Sequence, residues 1–116
     1  MEIAEQRTGE ITVIEVKGRI DSNTAKAFGE RLAGLLKAGP ARLVVDLKHI
    51  VYISSAGFRV LLLAARRAHD AGTRLVLCSL TGKVRQLFDL GGFLELFAIS
   101  TSREEAIAAM HSVRAT

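Results

Sequence analysis

Apolar residues along this chain fall into short runs that switch between two rhythms, alternation and helical spacing, with turn-forming residues at the switches. Glu2 to Arg7 and Glu10 to Val16 flank the pair Thr8-Gly9, so the chain opens with a predicted β-hairpin. The second strand carries Ile11, Val13, Ile14 and Val16, apolar on both faces, which predicts a place inside the sheet. Asp21, Ser22 or Asn23 can then cap a helix whose apolar positions Ala25, Phe28, Leu32, Leu35 and Leu36 keep helical spacing, and Gly39-Pro40 stops it.

The runs Leu43-Val44-Val45 and Leu75-Val76-Leu77-Cys78 read as buried strands. A helix between them calls for parallel pairing through a crossover. The first run resumes at Val51-Tyr52-Ile53 and gives way to a helix from Phe58 to about His69. At about 100° per residue, Phe58, Leu61, Leu62, Ala65 and Ala68 form its core-facing arc; Arg59, Arg66, Arg67 and Asp70 lie opposite, with Leu63 among them. A third helix is expected from about Gly82 to Leu90, with Val84, Leu87 and Phe88 on one side and Gly91-Gly92 closing it. Leu96 to Ile99 gives a last strand, and Thr101 or Ser102 with Glu104 and Glu105 opens a C-terminal helix. The order β-β-α-β-α-β-α-β-α predicts an α/β fold: a mixed sheet, with an N-terminal hairpin and mostly parallel strands, packed with about four helices.

Composition narrows the function classes. A chain of 116 residues is expected to form one domain, residues 1–116. Folding would bury roughly two thirds of its unfolded surface. The longest apolar run, Val60 to Ala65, is too short to insert into a membrane, and the start, Met1 to Arg7, lacks the basic and apolar regions of a secretory signal. With a lone Cys78 that cannot form an internal disulfide, these features lead to an expected cytoplasmic location. The net charge of +4 is spread from Arg7 to Arg114, and one Tyr with no Trp leaves little surface for stacking bases, so no direct nucleic-acid partner is expected.

The chemistry-bearing feature is the pair Ser54-Ser55, where the strand run ends and the helix begins. The first N–H groups of a helix lack intrahelical partners and carry the positive end of its dipole, so a phosphate placed there meets donors. Asp21-Ser22-Asn23 also follows a strand and opens a helix; in a parallel arrangement both loops emerge at one end of the sheet. Gly57 costs the helix roughly 1 kcal/mol relative to alanine, and either room above the serine hydroxyl or close packing on the sheet would offset that. His49, His69, His111 and Cys78 lack metal-ligand spacing, no Gly-rich phosphate loop is present, and Ser55 has no evident histidine partner. No acidic pair follows an earlier strand to make Asp46 a phospho-acceptor. These absences predict no metal, no cofactor, no catalytic residue and no enzyme.

The stretch from Val44-Val45-Asp46-Leu47-Lys48 through His49-Ile50-Val51-Tyr52-Ile53 and Ser54-Ser55-Ala56-Gly57-Phe58 to Arg59-Val60-Leu61-Leu62 resembles the signature of the STAS domain, specifically the stand-alone bacterial anti-sigma factor antagonists. The resemblance runs nearly end to end, through Gly18-Arg19-Ile20-Asp21-Ser22, Leu87-Phe88-Asp89-Leu90-Gly91-Gly92-Phe93, Phe97-Ala98-Ile99 and Glu105-Ala106. It implies the STAS arrangement of strands and helices, and a protein that binds an anti-sigma factor when unphosphorylated and releases it when phosphorylated. The acceptor it implies is Ser55, which precedes a small residue and then glycine. Ser54 is the second choice; it stands where many relatives carry an aspartate, a departure from the pattern that leaves two hydroxyls side by side. The implied partners are an anti-sigma factor serine kinase, an ATPase of histidine-kinase-like fold, and a metal-dependent serine phosphatase. The partner-facing set is Asp21, Ser22, Asn23, Tyr52, Ser54, Ala56, Gly57, Phe58, Arg59 and Leu63. The alternative is a STAS ligand-sensing or scaffold module that is never phosphorylated.

Overall fold

The computed structural model describes residues 1–37 and 42–114, with side chains described as far as residue 110. Strand β1 (Glu2–Thr8) and strand β2 (Ile11–Ile20) form the hairpin expected around Thr8-Gly9, with Gly9 at φ 64° in the turn. Helix α1 (Ala25–Lys37) follows; its expected stop at Gly39-Pro40 lies outside the described residues. Strand β3 (Arg42–Ile53), helix α2 (Ser55–Asp70), strand β4 (Leu75–Cys78) and helix α3 (Gly82–Leu90) come next. A single 3-10 turn (Leu94–Leu96), strand β5 (Ala98–Ser100) and helix α4 (Arg103–Arg114) complete the order.

The five strands lie in the order β1-β2-β3-β4-β5, antiparallel at the first pair and parallel at the others. Each parallel crossover steps the same way across the sheet, so right-handed connections leave their helices on a single face. Accordingly Phe28 and Leu32 of α1, Phe58 and Leu61 of α2, and Val84 and Phe88 of α3 share one core with Ile14, Val16, Leu43, Val45, Leu47 and Leu77. The alternate residues Ile11, Val13, Val44, Val76 and Cys78 point the other way and are covered by Ala106 and Met110 of α4.

Four expectations need correction. β3 is one strand that continues through the exposed Lys48-His49, because β2 pairs alongside it there, Lys17 with His49 and Gly18 with Ile50. α2 begins at Ser55, a turn before Phe58. Its buried arc is Gly57, Phe58, Leu61, Ala64 and Ala68; Leu62 and Ala65 are half-buried, since the arc centres on Gly57, Leu61, Ala64 and Ala68 and these two lie to one side of it. Leu96 is exposed in the 3-10 turn, and the last strand starts at Ala98.

A polar clamp that the sequence does not announce fixes α4. Arg103 donates from Nε to Asp46 Oδ2 at 3.0 Å, from Nη2 to Glu15 Oε2 at 2.6 Å and from Nη1 to Gln6 Oε1 at 2.9 Å. Asp46 is buried at 4 % exposure, where an unpaired carboxylate would be costly, and the arginine fork answers it.

Candidate functional site

The site is built where β2 and β3 end side by side. Ile20 pairs with Ile53, and the Ser54 N–H donates to the Ile20 carbonyl at 2.9 Å, which ties the turn after β3 to the end of β2. Ser54, at φ −87° and ψ 173°, is the N-cap of α2: its Oγ accepts from the Gly57 N–H at 3.3 Å. Ser55 is the first helical residue and is exposed, whereas Ser54 is half-buried. The two hydroxyls have therefore divided the work. One closes the helix, and the other points to solvent beside the positive end of the dipole.

This division is testable by stability alone. Ser54→Ala should lower the unfolding free energy by about 1 kcal/mol, the usual cost of a lost N-cap, and Ser55→Ala should stay within about 0.5 kcal/mol of the parent. Urea denaturation of the two variants checks it; equal losses would show that both hydroxyls hold the helix.

Gly57 is buried against the sheet. A Cβ there would lie 2.8 Å from Ile20 Cγ2, 2.8 Å from Ile53 Cγ2 and 2.9 Å from the Ile20 carbonyl oxygen. Close packing is thus the reason for glycine at this position. Phe58 is buried as well, stacked on Phe93 with ring centroids 4.4 Å apart and set edge-on to Phe88 at 4.8 Å. Gly57 and Phe58 were expected to face a partner; they lie beneath the surface instead, packed against the sheet and the Phe88 and Phe93 rings. Ser55, Arg59 and Leu63 are exposed along α2, Leu63 at 46 %, and Ala56 is half-buried.

The loop after β2 stands beside this turn. The Asp21 carbonyl accepts from the Ala25 N–H at 2.8 Å, and Asp21 Oδ1 accepts from the Asn23 N–H at 2.9 Å. Thr24, which sequence reasoning passed over, accepts from the Asp21 N–H at 2.9 Å and donates to the Arg19 carbonyl at 2.8 Å. Ser22 and Asn23 are left exposed. The Asn23 N–H, opposed by partial desolvation and helped by Thr24 and Arg19, holds the Asp21 carboxyl below its ordinary value. Arg19, also missed, joins the two loops: its Nε is 3.6 Å from Asp21 Oδ2 and its guanidinium sits 4.5 Å over the half-buried Tyr52 ring. Its signal in the sequence was its pairing register with Tyr52, which only a strand alignment exposes.

Burial pushes the Cys78 thiol up to about 11, so it stays protonated and unreactive. Among the described residues no three His, Cys, Asp or Glu side chains gather in a way that could hold a metal ion, and no helix is long and apolar enough to cross a membrane.

The STAS domain model matches residues 2–106. BtrV of Bordetella bronchiseptica, a candidate anti-sigma factor antagonist, is 42% identical over 94 residues, covering 81% of each chain. Among solved structures, a candidate anti-sigma factor antagonist from Thermotoga maritima superposes with a TM-score of 0.86 at 15% identity, covering 94% of each chain. The Bacillus cell fate determinant SpoIIAA in its phosphorylated form gives 0.70 at 19% identity, covering 93% of this chain and 98% of its own. A family match across nearly the whole sheet and its helices, with a relative this similar, makes the chain a member of the STAS domain family, on the branch whose relatives are named as anti-sigma factor antagonists.

Proposed function

We propose that this protein is an anti-sigma factor antagonist that works as a phosphorylation-gated binding switch in the cytoplasm. Unmodified, it binds an anti-sigma factor, a serine kinase whose ATPase has the histidine-kinase-like fold, and so frees the target that factor restrains. The bound kinase transfers the γ-phosphoryl group of ATP to Ser55 Oγ; ADP leaves, the hydroxyl proton goes to the kinase's base, and the complex parts. A metal-dependent serine phosphatase hydrolyses the ester and restores binding. The protein is the substrate of both enzymes and catalyses neither step.

The observation that supports this most directly is the exposed Ser55 hydroxyl at the first position of α2, next to a Ser54 hydroxyl already used by the Gly57 N–H. A phosphate there adds about −1.5 to −2 charges at a helix end that favours anions, so the fold tolerates it. The surface around it, Asp21, Ser22, Asn23, Tyr52, Ala56, Arg59 and Leu63, takes the partner.

Incubation with the cognate kinase and ATP, followed by peptide mass spectrometry, tests the assignment. Phosphate should appear on Ser55 and vanish in Ser55→Ala. Transfer to Ser54 alone would reassign the acceptor, and no transfer to either serine would favour a ligand-sensing or scaffold module.

A further inference from the structure

The exposed strip of α2 carries a cation with nothing to hold. Ser55, Arg59 and Leu63 follow one another at four-residue steps and are all exposed, so each stands above the last. Side chains so spaced are neighbours, with Cβ atoms about 5–6 Å apart. Arg59 makes no ion pair or side-chain hydrogen bond among the described residues, and the first turn of α2 contains no acidic residue. The nearby Arg19 is engaged, with its Nε 3.6 Å from Asp21 Oδ2 and its guanidinium 4.5 Å over Tyr52.

The geometry points to Arg59 as the internal receiver of the phosphoryl group: once Ser55 is esterified, the dianion pairs with the Arg59 guanidinium one turn along the same helix face. This rests on Ser55 being the modified residue. An arginine fork matches phosphate oxygens in pairs, and the helix end supplies the rest of the positive field. Modification then does two things at once. It adds about two negative charges to the strip and engages Arg59, so a partner group that relied on Arg59 loses its contact when the phosphate arrives.

The test installs phosphoserine at position 55 by suppressor translation in the full chain and follows its 31P signal through a pH titration at low ionic strength. With Arg59 present, the second phosphate pKa should lie about 0.3 pH units below that of the Arg59→Gln variant, the size of an exposed pair one turn apart, and Arg59→Lys should fall between. The difference should shrink in about 1 M salt. Asp21, held below its ordinary value, keeps its charge through this window and adds no step of its own. The Arg59 Nε–H resonance should move with the same midpoint. Equal titrations for the parent and Arg59→Gln, or an Arg59 signal that ignores the phosphate transition, would overturn the pairing. No kinase is used, so a failure of Ser55 as a kinase substrate is read separately, in the labelling experiment.

Discussion

Gly57→Ala should cost the fold about 2 kcal/mol and lower its thermal midpoint by about 10 °C. The added methyl meets two β-branched side chains at 2.8 Å and the Ile20 carbonyl oxygen at 2.9 Å, and a backbone oxygen in a paired strand cannot step aside. Overpacking of this kind costs up to about 3 kcal/mol, and alanine's better helix propensity returns up to about 1 kcal/mol. The clash wins because the first turn of α2 is pinned on both sides, by the Ser54 cap and by the Ser54 N–H to Ile20 hydrogen bond. Gly34→Ala is the control of opposite sign: it sits exposed inside α1, and among the described residues no atom outside its own helix backbone and chain neighbours comes within 4 Å of where a methyl would sit, so the propensity gain stands unopposed and stability should rise. Urea and thermal unfolding of both variants decide it. A Gly57→Ala protein as stable as the parent would remove close packing as the reason for this glycine.

Much of the architecture could be read from local pattern, because local pattern is what sets it. The Thr8-Gly9 turn, the continuous apolar runs of β3 and β4 and the spacing of α3 each carry their own signal, and the parallel crossovers follow from them. What escaped depends on partners far away in sequence. Lys48 and His49 look like a break, yet the strand carries on across a register shift because β2 pairs again from His49. Arg103 looks like any helix-opening charge until Asp46 and Glu15 come beneath it. The start of α2 and the burial of Phe58 depend on Ile20 and Phe93, both far away in the chain.

The candidate site divides along the same line. A pair of hydroxyls between a strand and a helix, with glycine two positions on, was visible as a sequence feature. Which hydroxyl is free was not, since Ser54 and Ser55 have the same intrinsic capping ability. The choice is made by which oxygen the Gly57 N–H reaches, and that is a property of the closed turn. Arg19 and Thr24 were hidden for a similar reason, because each acts across the ends of β2 and β3 or within a turn rather than through a motif.

Ser55→Asp should leave the fold intact and lower affinity for the cognate anti-sigma factor by at least about 100-fold, or about 2.7 kcal/mol. The two halves of this expectation have separate causes. Within the free protein the carboxylate sits at the first position of α2, where the dipole contributes about 0.3–1 kcal/mol in its favour, so unfolding curves should match the parent or improve slightly. In the proposed complex the same charge would be enclosed against the partner where a neutral hydroxyl had been, and desolvating it without a dedicated cation costs several kcal/mol. Arg59, one turn along the helix, softens that cost for a single charge, so phosphoserine should bind more weakly still than aspartate, and Ser55→Ala should keep close to full affinity. Calorimetric titration of the three forms against the partner, with circular dichroism to confirm the fold, provides the measurement. An aspartate variant that binds like the parent would mean that the exposed hydroxyl lies outside the interface. One that unfolds would mean that the modification acts on the architecture itself.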